Sequence, residues 1–528
     1  AQANLAPQGV CDLFRLRTIW NALSPTRGHS TMSLVYAPVS VLSAAGAELI
    51  ASMPTFPSSC FINSTGGLCT KAEALGAWPE QTHECEVLFL VGGLVVAALL
   101  LVAAMVALVV TALRQKPSVY CVETALFVPP ARWRRTHEEL LAFLRAQGTY
   151  TDESYAFLVK TLGRSATGDS THWPPASQAS LDGVTKAVMD RAFTQKEAEA
   201  VIFPIVQDIF EKTGLKPRDI DILIVNCSLF SPTPSLCAMI CHRFGLRDDV
   251  RSYNLGGMGC SANVVAVDLA RQLLENDRGA RALVVSTEMI TPNLYMGNEK
   301  SMLLQNTLFR CGGVALLLSS RGSDASRAKY KLLCTQRSQL SDDEAFGAVV
   351  EREDADGYRG VALSKQIVEV AGRAMKLNFS KLGWRILSTS ELARTGFSML
   401  LIMLIKRARK AGLTQAAVPK PYVPDFSSGI DHFCIHAGGR AVIDGVQKGL
   451  GLQDHHMEPS RQTLADWGNT SSSSIWYEAE WIERFGGLRR GQRVLQVAFG
   501  SGFKCNTAVW LALHVDDKKR GVPLKTAA

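Results

Sequence analysis

The sequence predicts an α/β protein whose two halves, of similar size, follow a membrane anchor. From about residue 117 onward, stretches with helical spacing alternate with short apolar runs rich in β-branched residues. Such runs, as at residues 220–225 and 494–499, are typical of strands that are buried on both faces. We therefore expect largely parallel strands covered by helices. The anchor is predicted from an uncharged stretch at residues 87–113.

The composition allows two globular units and an anchor, and it argues against nucleic acid as a partner. The chain has 528 residues, 47% of them hydrophobic, which is too long for one ordinary domain and enough for a large core. Its net charge of +8 comes from 56 basic and 48 acidic residues without a long block of one sign. The first residue is alanine, which indicates a processed or incomplete N-terminus, so residues 1–30 carry little weight.

Residues 87–113 are predicted to form a transmembrane helix. They carry no charge over 27 positions, a length sufficient to cross about 30 Å of hydrocarbon. A buried core helix is the alternative, but core helices are seldom apolar all round over such a length. The stretch lies too deep for a signal peptide. Arg114, Lys116 and the basic residues at 132–135 follow it, and by the positive-inside rule they place the rest of the chain in the cytosol.

A second apolar stretch, residues 32–53, leaves the topology of the N-terminal arm open because Pro38 and Glu48 interrupt it. If it spans the membrane, the N-terminus is cytosolic and residues 54–86 form a lumenal loop. If it does not, the whole arm is lumenal. In both cases three cysteines and one glycosylation sequon face the lumen, where thiols can oxidise: Cys60, Cys69, Cys85 and Asn63. The nine cysteines from Cys121 onward are expected to stay reduced.

Changes in composition and pattern divide the chain. An N-terminal arm and the anchor precede a proline-rich junction, and two α/β segments and a basic tail follow. The predicted bounds are 1–86 for the arm, 87–113 for the anchor, 117–330 and 331–515 for the two halves, and 516–528 for the tail. Residue identity reveals no internal repeat, so the sequence does not establish that one half duplicates the other.

The elements of the first half follow from periodicity. Apolar residues recur at helical spacing in residues 198–209, and a short β-rich run follows at 220–225. Residues 262–274 are again predicted to be helical. Two further apolar runs, at 282–285 and 314–318, are predicted to be strands.

The second half repeats this alternation. We expect a helix at 364–377, a strand ending at His436, a helix at 439–450 and a strand at 494–499. The very apolar residues 397–405 are too few to span a bilayer, so they are predicted to form a core or tunnel-lining helix. Contact of this helix with a membrane surface is the alternative.

Cys260 is the candidate nucleophile. It follows the glycine-rich residues 254–259 (NLGGMG), which permit a tight turn just before the predicted helix at 262–274. The sulfur would then face a helix N-terminus, where the helix dipole and unpaired amides favour the reactive thiolate. The alternative is an inert cysteine, because most of the thirteen cysteines should behave as small hydrophobes.

His436 and Asn469 are the candidate partners of Cys260. His436 lies in residues 432–439 (HFCIHAGG), between a predicted strand and a helix, where α/β proteins gather functional groups. A purely structural histidine is the alternative for His432 or His436, but the glycines leave room for a ligand beside His436. Asn469 lies in the segment WGNT and could be a simple turn residue. It becomes a candidate only in combination with Cys260 and His436.

In this order, Cys260, His436 and Asn469 resemble the cysteine, histidine and asparagine of decarboxylating condensing enzymes. The surrounding chain resembles the plant and algal 3-ketoacyl-CoA synthases over roughly residues 117–515, and a hydrophobic N-terminal anchor is also typical of that family. The similar blocks are NCSLFSPTPS at 226–235, the Cys260 loop, GNEKSM at 297–302, and residues 432–444, 468–477 and 500–506.

The resemblance implies a thiolase-like fold, with two similar βαβ-rich halves that meet at the active site, usually in a homodimer. It also implies a location in the membrane of the endoplasmic reticulum, with the catalytic part in the cytosol. The implied partners are membrane lipid, acyl-CoA and malonyl-CoA, and the ketoacyl reductase, dehydratase and enoyl reductase of a fatty acid elongase.

The chemistry implied by the resemblance is a decarboxylative condensation that begins very-long-chain fatty acid elongation. Cys260 would carry the acyl group as a thioester, while His436 and Asn469 would stabilise the enolate formed from malonyl-CoA. The backbone amides of Cys260 and of Ser501 or Gly502 would bind the oxyanion. The product would be a 3-oxoacyl-CoA two carbons longer, and no metal or redox cofactor is expected.

Two histidines typical of the family are absent, because Gln336 and Ala465 stand at their positions. The main alternative is therefore a noncatalytic condensing-enzyme-like subunit or scaffold of a membrane elongase, although the retained site residues favour an enzyme. A soluble polyketide-synthase-like enzyme is disfavoured by the anchor, and a serine hydrolase by the lack of a Gly-x-Ser-x-Gly elbow. A zinc site at Cys237, Cys241 and His242 would lack a second pair of ligands.

Overall fold

The computed structural model of the protein describes residues 97, 99–105, 116–169, 171–174, 186–187 and 189–524. The chain forms two compact units, residues 1–113 and residues 114–528. In the first unit, residues 97 and 99–105 are helical and exposed. The predicted span at 32–53 and the rest of the span at 87–113 lie outside the described residues. Among the helices that are described, none combines the length and the apolar character needed to cross a membrane.

The second unit is built around a nine-stranded sheet, and two small two-stranded sheets lie beside it. The strands in the described part are β1 Tyr120–Leu126, β2 Arg134–Arg135, β3 Thr171–His172, β4 Ile222–Asn226, β5 Arg251–Leu255, β6 Arg281–Thr287, β7 Gly313–Ser319, β8 Tyr330–Gln339, β9 Val349–Glu353, β10 Arg359–Leu363, β11 His432–Ile435, β12 Arg493–Gly500 and β13 Lys504–Ala512. Strands β2 and β3 form one small sheet, and β9 and β10 form the other.

Helices connect these strands. In the described part of this unit they are α1 His137–Ala146, α2 Asp152–Leu162, α3 Arg191–Thr213, α4 Leu236–Phe244, α5 Ala262–Asn276, α6 Lys300–Leu308, α7 Asp343–Gly347, α8 Ile367–Ile386, α9 Thr389–Lys410, α10 Arg440–Leu450, α11 Asp454–Trp467 and α12 Ser474–Arg484. The helices predicted at 198–209, 262–274, 364–377 and 439–450 correspond to α3, α5, α8 and α10, so local periodicity identified them correctly.

The strand order reveals a duplication that residue identity does not. The large sheet runs β11-β12-β13-β8-β1-β7-β6-β4-β5. From β1 outward in the first half, β7 is antiparallel to β1, β6 antiparallel to β7, and β4 parallel to β6. From β8 outward in the second half, β13, β12 and β11 repeat these three directions in the same order. Strands β1 and β8 join the halves as antiparallel neighbours. The predicted boundary between residues 330 and 331 falls at the start of β8 and stays a prediction.

The expectation of largely parallel strands is wrong, because the large sheet is mixed. Only β4 with β5, β4 with β6, and β11 with β12 pair in parallel among the described strands of this sheet. Strands β12 and β13 are joined by a turn of three residues, too short for the crossover that a parallel pair requires. An apolar run shows that a strand is buried but not in which direction it pairs, which explains the error.

Helices cover both faces of the sheet. Along β4, Ile222 and Ile224 pack in one core cluster with apolar residues of α5 and α12, while Leu223 and Val225 pack in another with α3 and α4. This alternation is the period of two of a strand. The opposite face of the second half is covered by α8, α10 and α11. Helices α5 and α12 therefore form a layer shared by both halves, and the segments that lead into them carry site residues.

The predicted core helix at 397–405 is α9, and the prediction that it is buried is wrong. Six of its seven large apolar side chains from Phe397 to Leu404 are 40 to 69% exposed, and the seventh, Ile402, is half-buried. Of the residues in α9, Glu391 alone is buried. An apolar sequence indicates that a helix is shielded from water, but it does not indicate that the protein's own core shields it.

A cluster of buried charges connects the two halves where β7 leads into β8. The ammonium of Lys329 lies 2.7 Å from Glu483, 3.8 Å from Glu480 and 3.8 Å from Glu123. Burial lowers the pKa of Lys329, but the three carboxylates outweigh burial and leave the pKa above its usual value. Tyr330 donates a hydrogen bond to the same Glu483 at 2.7 Å. The ammonium therefore neutralises carboxylates that the fold has removed from water.

Replacing Lys329 with methionine, which keeps the length of the side chain, should destabilise the protein. The change leaves the buried carboxylate of Glu483 without its closest cation, a loss of about 3–5 kcal/mol in the free energy of unfolding. Lys300→Met is the control, because Lys300 is exposed and pairs with an exposed Glu153 at 2.6 Å. Thermal unfolding of the purified chains should show a lower midpoint only for Lys329→Met. Equal midpoints for the two variants would contradict this account.

Candidate active site

The structure brings all five predicted site residues to one cavity. Cys260, His436, Asn469, Ser501 and Gly502 all line a cavity of about 460 Å³. More than half of its remaining lining residues are apolar, and seven of these come from α7, the β9–β10 pair and the start of α8: Phe346, Val349, Val350, Val361, Leu363, Ile367 and Ala371. The cavity therefore combines the polar site residues with a wall that is largely apolar.

The turn that carries Cys260 depends on glycine. It follows β5, continues as a 3-10 turn over Gly259–Ser261 and leads directly into α5. Gly257 and Gly259 have φ angles of 65° and 63°, in the left-handed region that favours glycine. A side chain on Gly259 would also approach the amide nitrogen of Ser501 to 2.6 Å. Glycine thus lets the nucleophile turn touch the turn at residues 500–502.

The expectation that a helix N-terminus lowers the pKa of Cys260 is wrong. Burial raises the pKa of this thiol to about 12, and the nearby charge of Glu288 raises it further. Hydrogen bonds from Ser471 and Asn469 act in the opposite direction but do not compensate. Desolvation therefore outweighs the helix dipole, and the resting form of Cys260 is the thiol.

Ser471 connects Cys260 to a buried carboxylate. Its hydroxyl oxygen lies 3.6 Å from the sulfur of Cys260 and 3.1 Å from Oε2 of Glu288. The other oxygen of Glu288 accepts hydrogen bonds from the amides of Ser228 and Leu229 at 2.9 and 2.8 Å. Ser471 has a φ angle of 55°, which is unusual for a residue other than glycine and is often found at functional sites. The hydroxyl can donate its single proton to the sulfur or to the carboxylate, but not to both.

The hydrogen bonds of His436 define its tautomer. Nδ1 lies 2.8 Å from Oγ of Ser474, and that hydroxyl donates to the carbonyl oxygen of Ser471 at 2.6 Å. Because the carbonyl can only accept, Oγ must accept from Nδ1–H of His436. Burial lowers the pKa of His436 to about 4, so the imidazole is neutral at pH 7. Nε2 is consequently an unprotonated base.

The amide of Asn469 is held in one orientation. Its oxygen accepts a hydrogen bond from the amide of Ser471 at 2.8 Å, and its nitrogen donates to the carbonyl of Gly438 at 3.3 Å. The remaining N–H is a donor on the side of the cavity that also holds Cys260. Asn469 can therefore donate to a developing negative charge without rearranging.

The turn between β12 and β13 supplies the predicted oxyanion amides. Gly500 approaches Met258 and Ser261 so closely that a side chain there would lie 2.5 Å from the carbonyl oxygen of Met258. Lys504 donates to the carbonyl of Ser501 at 2.6 Å and so supports the turn. The amides of Ser501 and Gly502 thus lie on a segment that touches the nucleophile turn. Their role in binding an oxyanion stays a prediction.

The two missing family histidines fall outside this cavity. Gln336 lies on β8, where its side chain donates to the carbonyl of Arg337 at 2.8 Å. Ala465 lies on α11 and lines a different cavity of about 800 Å³ together with His172 and Trp467. Neither position is among the described residues that surround Cys260. Their replacement therefore leaves the polar end of the site intact.

Sequence reasoning missed Glu288, Ser471 and Ser474. Ser471 and Ser474 belong to the serine run that follows Asn469, and an unbroken run of four serines before a helix is a signal that polar contacts are needed there. Glu288 directly follows the apolar β6, and a lone acid at the end of a buried strand is a comparable signal. The described residues contain no group of three or more histidine, cysteine or acidic side chains placed to hold a metal ion.

A duplicated mixed sheet with cysteine, histidine and asparagine around one cavity defines a thiolase-like condensing enzyme. Solved structures agree with this fold. CsyB in complex with CoA superimposes with a TM-score of 0.56 at 21% identity, covering 75% of this chain and 100% of CsyB. A polyketide synthase of the brown alga Ectocarpus siliculosus gives a TM-score of 0.56 at 17% identity, covering 76% of this chain and 100% of that protein.

Sequence comparison identifies the family within this class. Residues 110–407 match the FAE1/type III polyketide synthase-like family, and residues 427–511 match the C-terminal domain of 3-oxoacyl-[acyl-carrier-protein] synthase III. The chain is 47% identical to 3-ketoacyl-CoA synthase 2 of Arabidopsis thaliana over 77% of this chain and 75% of that protein. It is 45% identical to a probable 3-ketoacyl-CoA synthase 20 of Oryza sativa subsp. japonica over 79% and 77%. The chain belongs to the 3-ketoacyl-CoA synthase family.

The pH dependence of Cys260 alkylation should reveal its raised pKa. Below the pKa the thiolate fraction grows with pH, so iodoacetamide should react about tenfold faster for each pH unit between pH 7 and 9. Mass spectrometry of the peptide that contains Cys260 measures this rate without interference from the other cysteines. A rate that is already constant from pH 6 upward would mean that a thiolate is present at rest.

In the same assay, Glu288→Gln should accelerate alkylation at pH 8 by roughly tenfold. Glutamine removes a negative charge that raises the pKa of Cys260, and its amide can donate to Ser471, whose hydroxyl then donates to the sulfur. Glu197→Gln is the matched control, because Glu197 is also buried and accepts from two amides, those of Ile290 and Thr291. An equal effect of both substitutions would show that the contact with Ser471 is irrelevant.

Proposed function

We propose that this protein catalyses the decarboxylative condensation of a long-chain acyl-CoA with malonyl-CoA, the first step of very-long-chain fatty acid elongation. The observation that carries the proposal is the convergence of Cys260, His436 and Asn469 on one cavity with a largely apolar wall. The relatives named above support the same reaction, since they are called 3-ketoacyl-CoA synthases. The products would be a 3-oxoacyl-CoA two carbons longer, carbon dioxide and CoA.

In the first step, Cys260 is acylated. The neutral Nε2 of His436 is an available base, so it would take the thiol proton as the sulfur attacks the acyl-CoA carbonyl. A carbon–sulfur bond forms to Cys260, and the bond to the CoA sulfur breaks. CoA leaves as a thiolate that takes a proton from solvent, while His436 keeps the proton from Cys260. The Nδ1–H bond to Ser474 holds the ring in place throughout.

In the second step, malonyl-CoA loses carbon dioxide. Protonated His436 now presents Nε2–H, and Asn469 presents an amide N–H, so both would donate to the thioester oxygen of the malonyl group. The two electrons of the breaking carbon–carboxylate bond form an enolate whose charge these donors stabilise. Acylation of Cys260 thus prepares His436 for its second role.

In the third step, the enolate carbon attacks the acyl carbonyl on Cys260. The oxyanion would be bound by the amide of Cys260 and an amide of Ser501 or Gly502, which lie on turns in direct contact. Collapse of this intermediate forms the new carbon–carbon bond and returns the thiolate of Cys260. That thiolate recovers the proton from His436, so the cycle balances without a metal or redox cofactor.

The noncatalytic alternative rests on Gln336 and Ala465, which stand at the positions of two histidines typical of the family. Both residues lie away from the described cavity around Cys260, so their identity does not remove a group from the proposed chemistry. The family relationship also favours an enzyme. A condensing enzyme is therefore the better account of this site.

We further propose membrane attachment through residues 87–113, in the endoplasmic reticulum and with the catalytic unit in the cytosol. The uncharged stretch and the basic residues after it support this topology. A homodimer is proposed as well, supported by the outer edge of β5, which pairs with no other strand in the described part of the chain. The ketoacyl reductase, dehydratase and enoyl reductase of an elongase are proposed partners, because the 3-oxo product needs these reactions to become a saturated chain.

The reaction is tested by measuring acyl-chain elongation in microsomes prepared from cells that express the chain. With radiolabelled malonyl-CoA and a panel of saturated and monounsaturated acyl-CoAs, label should enter 3-oxoacyl products with the native chain. Cys260→Ala should reduce this incorporation by at least about 10³-fold, whereas Cys241→Ala, a half-buried thiol outside the cavity, should not. Equal incorporation by native and Cys260→Ala chains would support the noncatalytic subunit instead.

Protease protection tests the topology. Trypsin added outside sealed microsomes should remove the chain after residue 113 and spare residues 54–86, because the positive-inside rule places the catalytic unit in the cytosol. Detergent should abolish the protection. Survival of the catalytic unit before detergent is added would reverse the proposed orientation.

A further inference from the structure

Helix α9 projects from the catalytic unit with little cover of its own. Ser388 caps its N-terminus, and the carboxylate of Glu391 accepts hydrogen bonds from the hydroxyl of Tyr422 and the amide of Asp425 at 2.8 and 2.9 Å. The amide of Tyr422 also donates to Ser398 at 3.1 Å. The returning segment thus ties down the first half of α9, and α9 buries no side chain besides Glu391.

The middle of α9 is apolar around most of its circumference. Six large side chains are exposed within eight positions: Phe397 69%, Met399 67%, Leu400 49%, Leu401 40%, Met403 57% and Leu404 52%. Consecutive residues of a helix point in different directions, so these side chains do not form a single stripe. A helix that is apolar on nearly all sides is normally buried, so this segment requires a cover that the described part of the chain does not supply.

The charges around this apolar segment all have one sign. Between Glu391 and Asp425 the sequence contains no acidic residue, but it contains six basic ones: Arg394, Lys406, Arg407, Arg409, Lys410 and Lys420. All six are exposed. A second copy of this chain would bring the same positive charges to the same apolar surface, so charge disfavours pairing of α9 with itself. An anionic partner is favoured.

We propose that α9 is a second membrane contact, which inserts into the surface of an anionic lipid bilayer. The apolar residues 397–405 extend only about 14 Å along the helix axis, less than half of the roughly 30 Å of hydrocarbon, so the helix enters the interface without spanning it. The basic side chains at both ends are long enough to reach lipid phosphates while their methylene stems stay in the apolar layer.

This contact places the bilayer at a defined side of the catalytic unit. Helix α8 begins at the cavity wall with Ile367 and Ala371 and leads through a short turn to α9. The inference goes beyond the proposed reaction, and it depends neither on that chemistry nor on the predicted span at 87–113. It assigns to residues 389–424 a role that is separate from catalysis.

Photo-crosslinking tests the contact in the full chain reconstituted into liposomes. Phe397 is replaced by p-benzoylphenylalanine, and Phe485, which is 45% exposed and lies at the end of α12, is replaced in the same way as the control. The liposomes contain phosphatidylcholine with 30% phosphatidylserine and a tritiated lipid tracer. On irradiation, position 397 should label with lipid at least fivefold more than position 485. This comparison separates contact by α9 from the general proximity of an anchored protein.

A charge-reversed variant adds a second readout. Arg407→Glu combined with Arg409→Glu should reduce lipid labelling at position 397 by at least threefold, because the acidic side chains repel phosphatidylserine. Liposomes of phosphatidylcholine alone should lower the labelling of the unreversed chain in the same way. Crosslinking of position 397 to a second copy of the chain would overturn the proposal in favour of a self-interface. Labelling at position 397 no greater than at position 485 would also overturn it.

Discussion

The contact between two turns, residues 258–261 from one half of the fold and residues 500–502 from the other, is the constraint on which the site depends. Gly259 faces the amide of Ser501 so closely that no side chain fits between them, and Gly500 approaches Met258 in the same way. Asn506 at the start of β13 reinforces the contact by donating to the hydroxyl of Ser261 at 3.1 Å. Because one turn comes from each half of the fold, only the packing of the two halves brings the nucleophile and the predicted oxyanion amides together.

Burial then determines the protonation states at this junction. The site holds a thiol with a raised pKa and an imidazole with a lowered pKa, so both partners are neutral at rest. In the proposed mechanism, the substrate triggers the proton transfer from Cys260 to His436, and until then the thiol is less reactive than a thiolate would be. Ser474 fixes the tautomer that leaves Nε2 of His436 unprotonated, and Ser471 links the sulfur to the buried carboxylate of Glu288. The polar network is small: His436 and Asn469 are each held in one arrangement, whereas Ser471 can donate to the sulfur or to the carboxylate.

Local patterns predicted the helices and strands well because periodicity of apolar residues is a property of neighbouring positions. The same patterns failed for strand direction. The apolar sequences of β12 and β13 show that both strands are buried, but they do not show whether the strands pair in parallel or antiparallel. They also failed for α9, where the apolar residues 397–405 indicate burial but not the surface that buries them. Glu288 and Ser471 were missed because 183 positions separate them in the chain, and only the fold makes them neighbours.

The sequence by itself determined the family resemblance, the order of the elements and the identity of Cys260, His436 and Asn469 as the candidate site, because each of these rests on short segments. The duplicated strand order, the shared cavity, the thiol form of Cys260 and the exposure of α9 were decided only by the tertiary structure. The physical reason is that desolvation and hydrogen bonding depend on what surrounds a group in space. For Cys260 those surroundings include residues 288, 469 and 471, which are distant in the sequence from the turn that carries Cys260.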